Sequence, residues 1–208
     1  MAGFLLWLRD RKEWPLRRKR YVEDSARIGV QVATLATLPR RGFESLPPFG
    51  ADFARADGLY YGQSDRRATV LCHYIVYGRY HNSTYLYTVI CFQVGAALPE
   101  FSLIPHKAAD AIFSFFGMQD FNFDSHTKFS KDYRLRGRDE ASVRACFTPA
   151  VLSFFEQDSG WWYVHSAAGW LGVYLEPTRG IPIVFPSEKL PEILDRARQV
   201  CAQFVSKH

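Results

Sequence analysis

Residues 161–175 read Trp-Trp-Tyr-Val-His-Ser-Ala-Ala-Gly-Trp-Leu-Gly-Val-Tyr-Leu, two aromatic and β-branched runs joined by Ala167-Ala168-Gly169. Such side chains favour strands, and small residues with a glycine let the chain reverse, so Trp161–Ser166 and Trp170–Leu175 are expected to form a hairpin. Successive side chains point to opposite faces, which separates Trp161 and Tyr163 from Trp162. One set is expected in the core. The other, with Trp170, is a candidate exposed patch, since Trp is enriched at binding hot spots.

A second hairpin is legible from Ala68 to Val94, where β-branched and aromatic residues flank Tyr80-His81-Asn82-Ser83. A turn centred between His81 and Asn82 makes paired numbers sum to 163 and sets Cys72 opposite Cys91. Both faces are apolar, so this hairpin is expected to be central and covered on two sides. Phe101–Ile104 reads as a further strand, His106–Phe116 as a short helix closed by Gly117, and Thr127–Arg136 as an alternating strand. Asp139 offers a helix N-cap, and Thr148-Pro149 offers another with proline at the first helical position. Ser187 opens a final helix in which Leu190, Ile193, Leu194, Ala197, Val200, Cys201 and Phe204 recur at three- and four-residue steps. Hairpins dominate the connections, so the class is α+β, with a mainly antiparallel sheet and helices packed on it. The order of hairpin then helix occurs in both halves and fits an internal duplication.

The charge is distributed unevenly along the chain. Residues 1–41 hold ten Lys and Arg against four acids, a net +6, whereas 42–208 hold sixteen against seventeen, a net −1. The arm 1–41 is expected to be helical from Tyr21 to Leu38, where Pro39 ends it. Gly42, Pro47, Pro48 and Gly50 mark 42–57 as a linker or irregular cover, and 58–208 forms the body. The apolar run Phe4–Leu8 is far too short to span a bilayer, which takes about 20 residues. Basic residues follow that run instead of preceding it, the reverse of a secretory signal. An apolar tip, Trp7, Trp14 and the cluster Arg17, Arg18, Lys19 and Arg20 suit a segment lying on an anionic membrane surface. A solvated helix docked on the body accounts for the same residues. Nucleic acid is disfavoured as a partner, because one short cluster beside a neutral body is a small electrostatic footprint.

Catalytic and metal signatures are sparse. The four cysteines form no C-x-x-C pair, and no G-x-S-x-G, P-loop, G-x-G-x-x-G or H-E-x-x-H string occurs. Asp120-Phe121-Asn122-Phe123-Asp124 opens like a calcium loop. It then places Ser125 and Lys131 where the turn glycine and the bidentate glutamate belong, so an extended edge segment is expected. His73, Asp124 and His126 remain as candidate pocket residues: His126 beside Asp124 has the makings of a general base, and His73 lies on an apolar strand face. No catalytic residue, metal site or cofactor is assigned.

Phe129-Ser130-Lys131-Asp132-Tyr133-Arg134-Leu135-Arg136-Gly137, Val143-Arg144, Phe147-Thr148-Pro149, Gly160-Trp161-Trp162 and Trp170-Leu171-Gly172-Val173-Tyr174 together resemble an uncharacterised bacterial domain family. The resemblance spans roughly 58–204. Members of that family often follow one or two transmembrane helices, which implies a place near a membrane and no known activity. The expected function is thus a non-enzymatic, cytoplasmic binding or scaffold domain, peripheral to the inner membrane through its arm. A protein partner or a second copy of the chain is left open for its aromatic face. The alternative is an enzyme or small-ligand binder with a pocket between sheet and helices.

Overall fold

The computed structural model describes residues 19, 22–32, 42–46, 54–64, 66–77, 84–95, 98–106, 119–158, 160, 162–175, 178–179 and 187–205. The architecture is α+β. Its ten-stranded sheet comprises β1 (Gln31–Val32), β2 (Ala54–Ser64), β3 (Arg67–Tyr77), β4 (Thr84–Gln93), β5 (Phe101–Pro105), β6 (Gln119–Phe121), β7 (Tyr133–Gly137), β8 (Trp162–Ala167), β9 (Trp170–Leu175) and β10 (Thr178–Arg179). The spatial order is β1-β2-β3-β4-β9-β8-β5-β7-β6, and β10 also pairs with β4. Every pairing is antiparallel. The β8–β9 hairpin inserts between β4 and β5, so the late hairpin forms the middle of the sheet.

Alternation along these strands sorts the core into two layers. Leu71, Ile90, Phe92, Phe101, Leu103, Leu135, Trp162, Val164, Leu171 and Val173 face the helices. Val70, Cys72, Val89, Cys91, Ile104, Tyr163, Trp170 and Tyr174 face the other way, where Phe43 and Leu46 join them. Both layers are buried, as expected for central strands without a polar face. Phe43 meets Trp170 edge to face at 5.8 Å. Leu46 lies over Gly172, where an added Cβ would come within 3.0 Å of its Cδ1. Residues 43–46 of the 42–57 stretch are thus seated on the sheet by a leucine filling the space that a glycine leaves.

The helices are α1 (residues 22–28), α2 (Thr127–Asp132), α3 (Glu140–Cys146), α4 (Pro149–Gln157) and α5 (Leu190–Phe204). Asp139 caps α3, its carboxylate accepting from the backbone N–H groups of Ala141 at 3.1 Å and Ser142 at 3.3 Å. The Thr148 hydroxyl accepts from Val151 N–H at 3.4 Å, and Pro149 opens α4. Leu190, Ile193, Leu194, Ala197, Val200 and Cys201 form the buried stripe of α5. α3 and α4 follow their expected caps, and α5 follows its expected periodicity but starts at Leu190, after a 3-10 turn over Ser187–Lys189 that replaces the expected opening at Ser187.

Three expectations are corrected. The residue numbers of β3–β4 partners sum to 161, so Cys72 pairs with Val89 and Cys91 with Val70. A shift of two residues keeps every side chain on its expected face but takes the two buried thiols out of direct opposition. Of the expected strand Thr127–Arg136, Thr127–Asp132 is a helix and the strand begins at Tyr133; Phe129 and Tyr133, four apart, share a face under either period, so alternation does not separate the two, and their rings stack at 5.6 Å. The expected helix from Tyr21 stops at Ile28, where Gly29 takes φ +69° and Val30 N–H reaches Ser25 C=O at 3.0 Å. That is a glycine-terminated Schellman end, after which Gln31 and Val32 pair with Tyr61 and Tyr60. Residues 107–116 of the expected helix after β5 lie outside the described residues.

The β8–β9 turn contains Ala168 at φ +50° and Gly169 at φ +77°. Both signs match a two-residue type I′ turn, in which alanine is strained and asparagine is favoured. Ala168→Asn should stabilise the protein by about 0.5–1 kcal/mol and raise Tm by a few degrees, read by thermal melting. An unchanged or lowered Tm would contradict the turn geometry.

Candidate functional site

The sequence-derived candidates fall into separate settings. Trp162 and Trp170 are buried, so neither contributes an exposed patch, and Trp161 lies outside the described residues. Trp162 is fixed by a polar clamp at the end of α4. Asp158 Oδ2 accepts its indole N–H at 2.7 Å, while Oδ1 accepts from Gly160 N–H at 2.8 Å and from the Arg196 guanidinium at 3.0 Å. Arg196 also sits over the indole, 5.1 Å from the ring centroid. Tyr133 completes the clamp by donating to Gly160 C=O at 3.3 Å. Burial pushes its phenol up to about 12, and the charges of Asp158 and Asp132 add to that shift. Together these groups tie α4, α5, β7 and β8 to one another.

His73 is buried and shares a hydrogen bond with the Thr88 hydroxyl at 3.1 Å, packed edge to face with Tyr60. His126 does not bond to Asp124, which is exposed. It lies 3.2 Å from Glu156 Oε2, and the other Glu156 oxygen accepts Phe129 N–H at 3.1 Å. Lys128 donates to Glu156 C=O. Glu156 therefore supplies the N-terminal bond of α2 that His126, at the cap position, does not make. Partial burial opposes its charge, but the bonds from His126 and Phe129 and the nearby charges outweigh that and lower its pKa. The pairing is a tie between α2 and α4.

An open depression of about 570 Å³ lies beside α3, lined by Glu100, Arg138, Asp139, Ser142 and Cys146 among others. None of His73, Asp124 and His126 lines it. Asp139 is committed to the cap, with its carboxyl held low by Ser142, and Glu100 lies 3.7 Å from Arg138. Burial raises the Cys146 thiol, which keeps it in its less nucleophilic form. Among the described residues no group of three or more His, Cys, Asp or Glu side chains could hold a metal ion.

A polar row across the sheet was missed by sequence reasoning. Register aligns Gly172, His165, Ser102, Arg136 and Asp120 on neighbouring strands β9, β8, β5, β7 and β6. Arg136 and Asp120 form an ion pair at the sheet's edge. His165 and Ser102 are buried, and His165 stacks on Tyr174 at 5.4 Å, which in turn stacks on Tyr163 at 5.0 Å. Burial pushes His165 down to about 3, so the imidazole is neutral at physiological pH. The row needs the strand order, which no local pattern reveals.

The arm is represented by Lys19 and residues 22–32. Lys19 is well exposed and 4.0 Å from Glu23. Trp7, Trp14, Arg17, Arg18 and Arg20 lie outside the described residues. No helix of the described residues is long and apolar enough to cross a membrane. No protein-family description, curated protein or solved structure matches the chain.

A buried neutral histidine makes stability depend on pH with a definite sign. The unfolded imidazole takes up a proton near 6.5 and the folded one only near 3, so the unfolded state binds more protons as pH falls. The contribution is intact above about 6.5 and is lost progressively below it. Between pH 7.5 and 5.0 the folded state should lose about 2 kcal/mol through this group, read from urea midpoints. His165→Gln should flatten that slope even if it lowers the baseline. An equal slope in both proteins would show that His165 is not held neutral.

Proposed function

We propose that this chain is a non-enzymatic binding or scaffold domain held at the cytoplasmic face of an anionic membrane by its basic N-terminal arm. The observation that carries the reading is the charge split, +6 over 1–41 against −1 over 42–208. An arm so charged gains about 1 kcal/mol per basic residue at an anionic leaflet, and the neutral body neither adds to that nor opposes it. The order of apolar tip, Trp7, Trp14 and Arg17–Arg20 places insertion and charge in one short segment. The enzyme alternative draws no support from its named residues. His73 is tied to Thr88, His126 to Glu156, and Asp124 is exposed.

Co-sedimentation with vesicles tests the reading. Binding is expected to phosphatidylglycerol-containing vesicles and not to phosphatidylcholine alone, and to weaken steeply as salt is raised. Changing Arg17, Arg18, Lys19 and Arg20 together to Gln should weaken it at least about a hundredfold. Binding unaffected by salt and by the four substitutions, or no binding at all, rejects the proposal.

A further inference from the structure

Helix α1 packs Ile28 against the main core and exposes Glu23 and Arg27, yet it also buries polar side chains and leaves apolar ones outside. It turns Asp24 and Ser25 inward, at 2% and 7% exposure, and leaves Val22 56% exposed with Ala26 beside it. Ser25 Oγ donates to Val22 C=O at 2.8 Å, while Asp24 Oδ1 is buried without a hydrogen-bond partner among the described residues. The outward face therefore mixes the apolar Val22 and Ala26 with the charged Glu23 and Arg27, the composition of a segment lying at a lipid interface. The second large apolar side chain exposed among the described residues is Val32, at 45%, in the strand that follows. Helical rise and an extended span put the two Cα atoms within roughly 25 Å of each other.

This segment is not a loose tether. Val30 packs so closely on Gly62 that an added Cβ there would lie 2.7 Å from Val30 Cγ1, and Ile28 and Val30 pack against the main core. Gln31 and Val32 pair with β2, the neighbour of β1 at one end of the sheet. The exposed face is flanked by Lys19 and Arg27, with Glu23 the acid among them already beside Lys19, and the cluster Arg17–Arg20 precedes it.

We infer that the Val22–Ala26 face of α1, with Val32, is a lipid-contact surface for an anionic bilayer, and that it fixes the body's orientation with the β1 end of the sheet toward the membrane. The inference rests on the membrane reading above and extends it from attachment to orientation. Charge complementarity chooses the occupant: a face with exposed valines and a net basic rim fits an interface of acyl chains and phosphate headgroups.

The test uses the full chain in a Cys146→Ser background, with an environment-sensitive fluorophore at Val22→Cys, at Val32→Cys or, at the opposite end of the sheet, at Ala145→Cys on α3. On vesicles containing phosphatidylglycerol the probes at 22 and 32 should shift to the blue and become shielded from iodide, while the probe at 145 should not change. The unlabelled variant Val22→Asp should bind these vesicles at least about tenfold more weakly while keeping its melting temperature. Vesicle binding with an unshifted probe at 22 overturns the orientation and leaves the membrane reading intact. Absence of vesicle binding overturns both. A blue-shifted probe before lipid is added assigns the face to the chain's own apolar tip, and a shift that grows with protein concentration assigns it to a second copy; either result overturns the inference.

Discussion

Burial of β8 and β9 on both faces is the constraint from which the rest of the architecture follows. A strand pair with Trp162 and Val164 on one side and Tyr163 and His165 on the other cannot lie at an edge or face water. It therefore sits between β4 and β5, and the remaining strands extend the sheet outward on each side. One face then needs helices. Phe101, Phe129, Phe147, Phe155 and Phe204 supply the aromatic layer between them, with ring centroids 5.1–6.3 Å apart. The other face needs cover as well, and Phe43 and Leu46 provide part of it over Trp170 and Gly172.

Filling both faces shapes what the protein can do. Of the candidate aromatic patch, Trp162 and Trp170 are spent on the core, and Trp162 is fixed by Asp158 and Arg196. The polar groups that interrupt the apolar layers are either tied locally, as His73 is to Thr88, or held neutral by burial, as His165 is. Under the proposed function, contact with a partner falls to surfaces outside the two layers. Among them is α1, which turns Asp24 and Ser25 inward and leaves Val22 and Ala26 exposed beside Glu23 and Arg27.

The sequence made the elements legible wherever a local signal was sufficient. Asp139 and Thr148-Pro149 announced α3 and α4, and the three- and four-residue spacing from Leu190 announced α5. Strand faces were legible too, since alternation survives an error of two residues in register. The register itself was not, because Tyr80-His81-Asn82-Ser83 does not fix where the turn is centred. Thr127–Asp132 misled because Phe129 and Tyr133 satisfy both periods, and Gly29 was passed over as a helix end inside a stretch that mixes small and apolar residues. The candidate site was less legible still. Glu156 meets His126 from 30 residues away and Arg196 meets Asp158 from 38, distances at which no spacing rule operates.

Hydrogen–deuterium exchange of the full chain, with and without phosphatidylglycerol vesicles, tests most directly the proposal that the arm, and not the packed body, makes the membrane contact. The account predicts that β8, β9 and α5 exchange slowly in both conditions, while residues 1–32 gain protection only when lipid is present. Protection appearing across the body's helices or strands, with residues 1–32 unchanged, would contradict it.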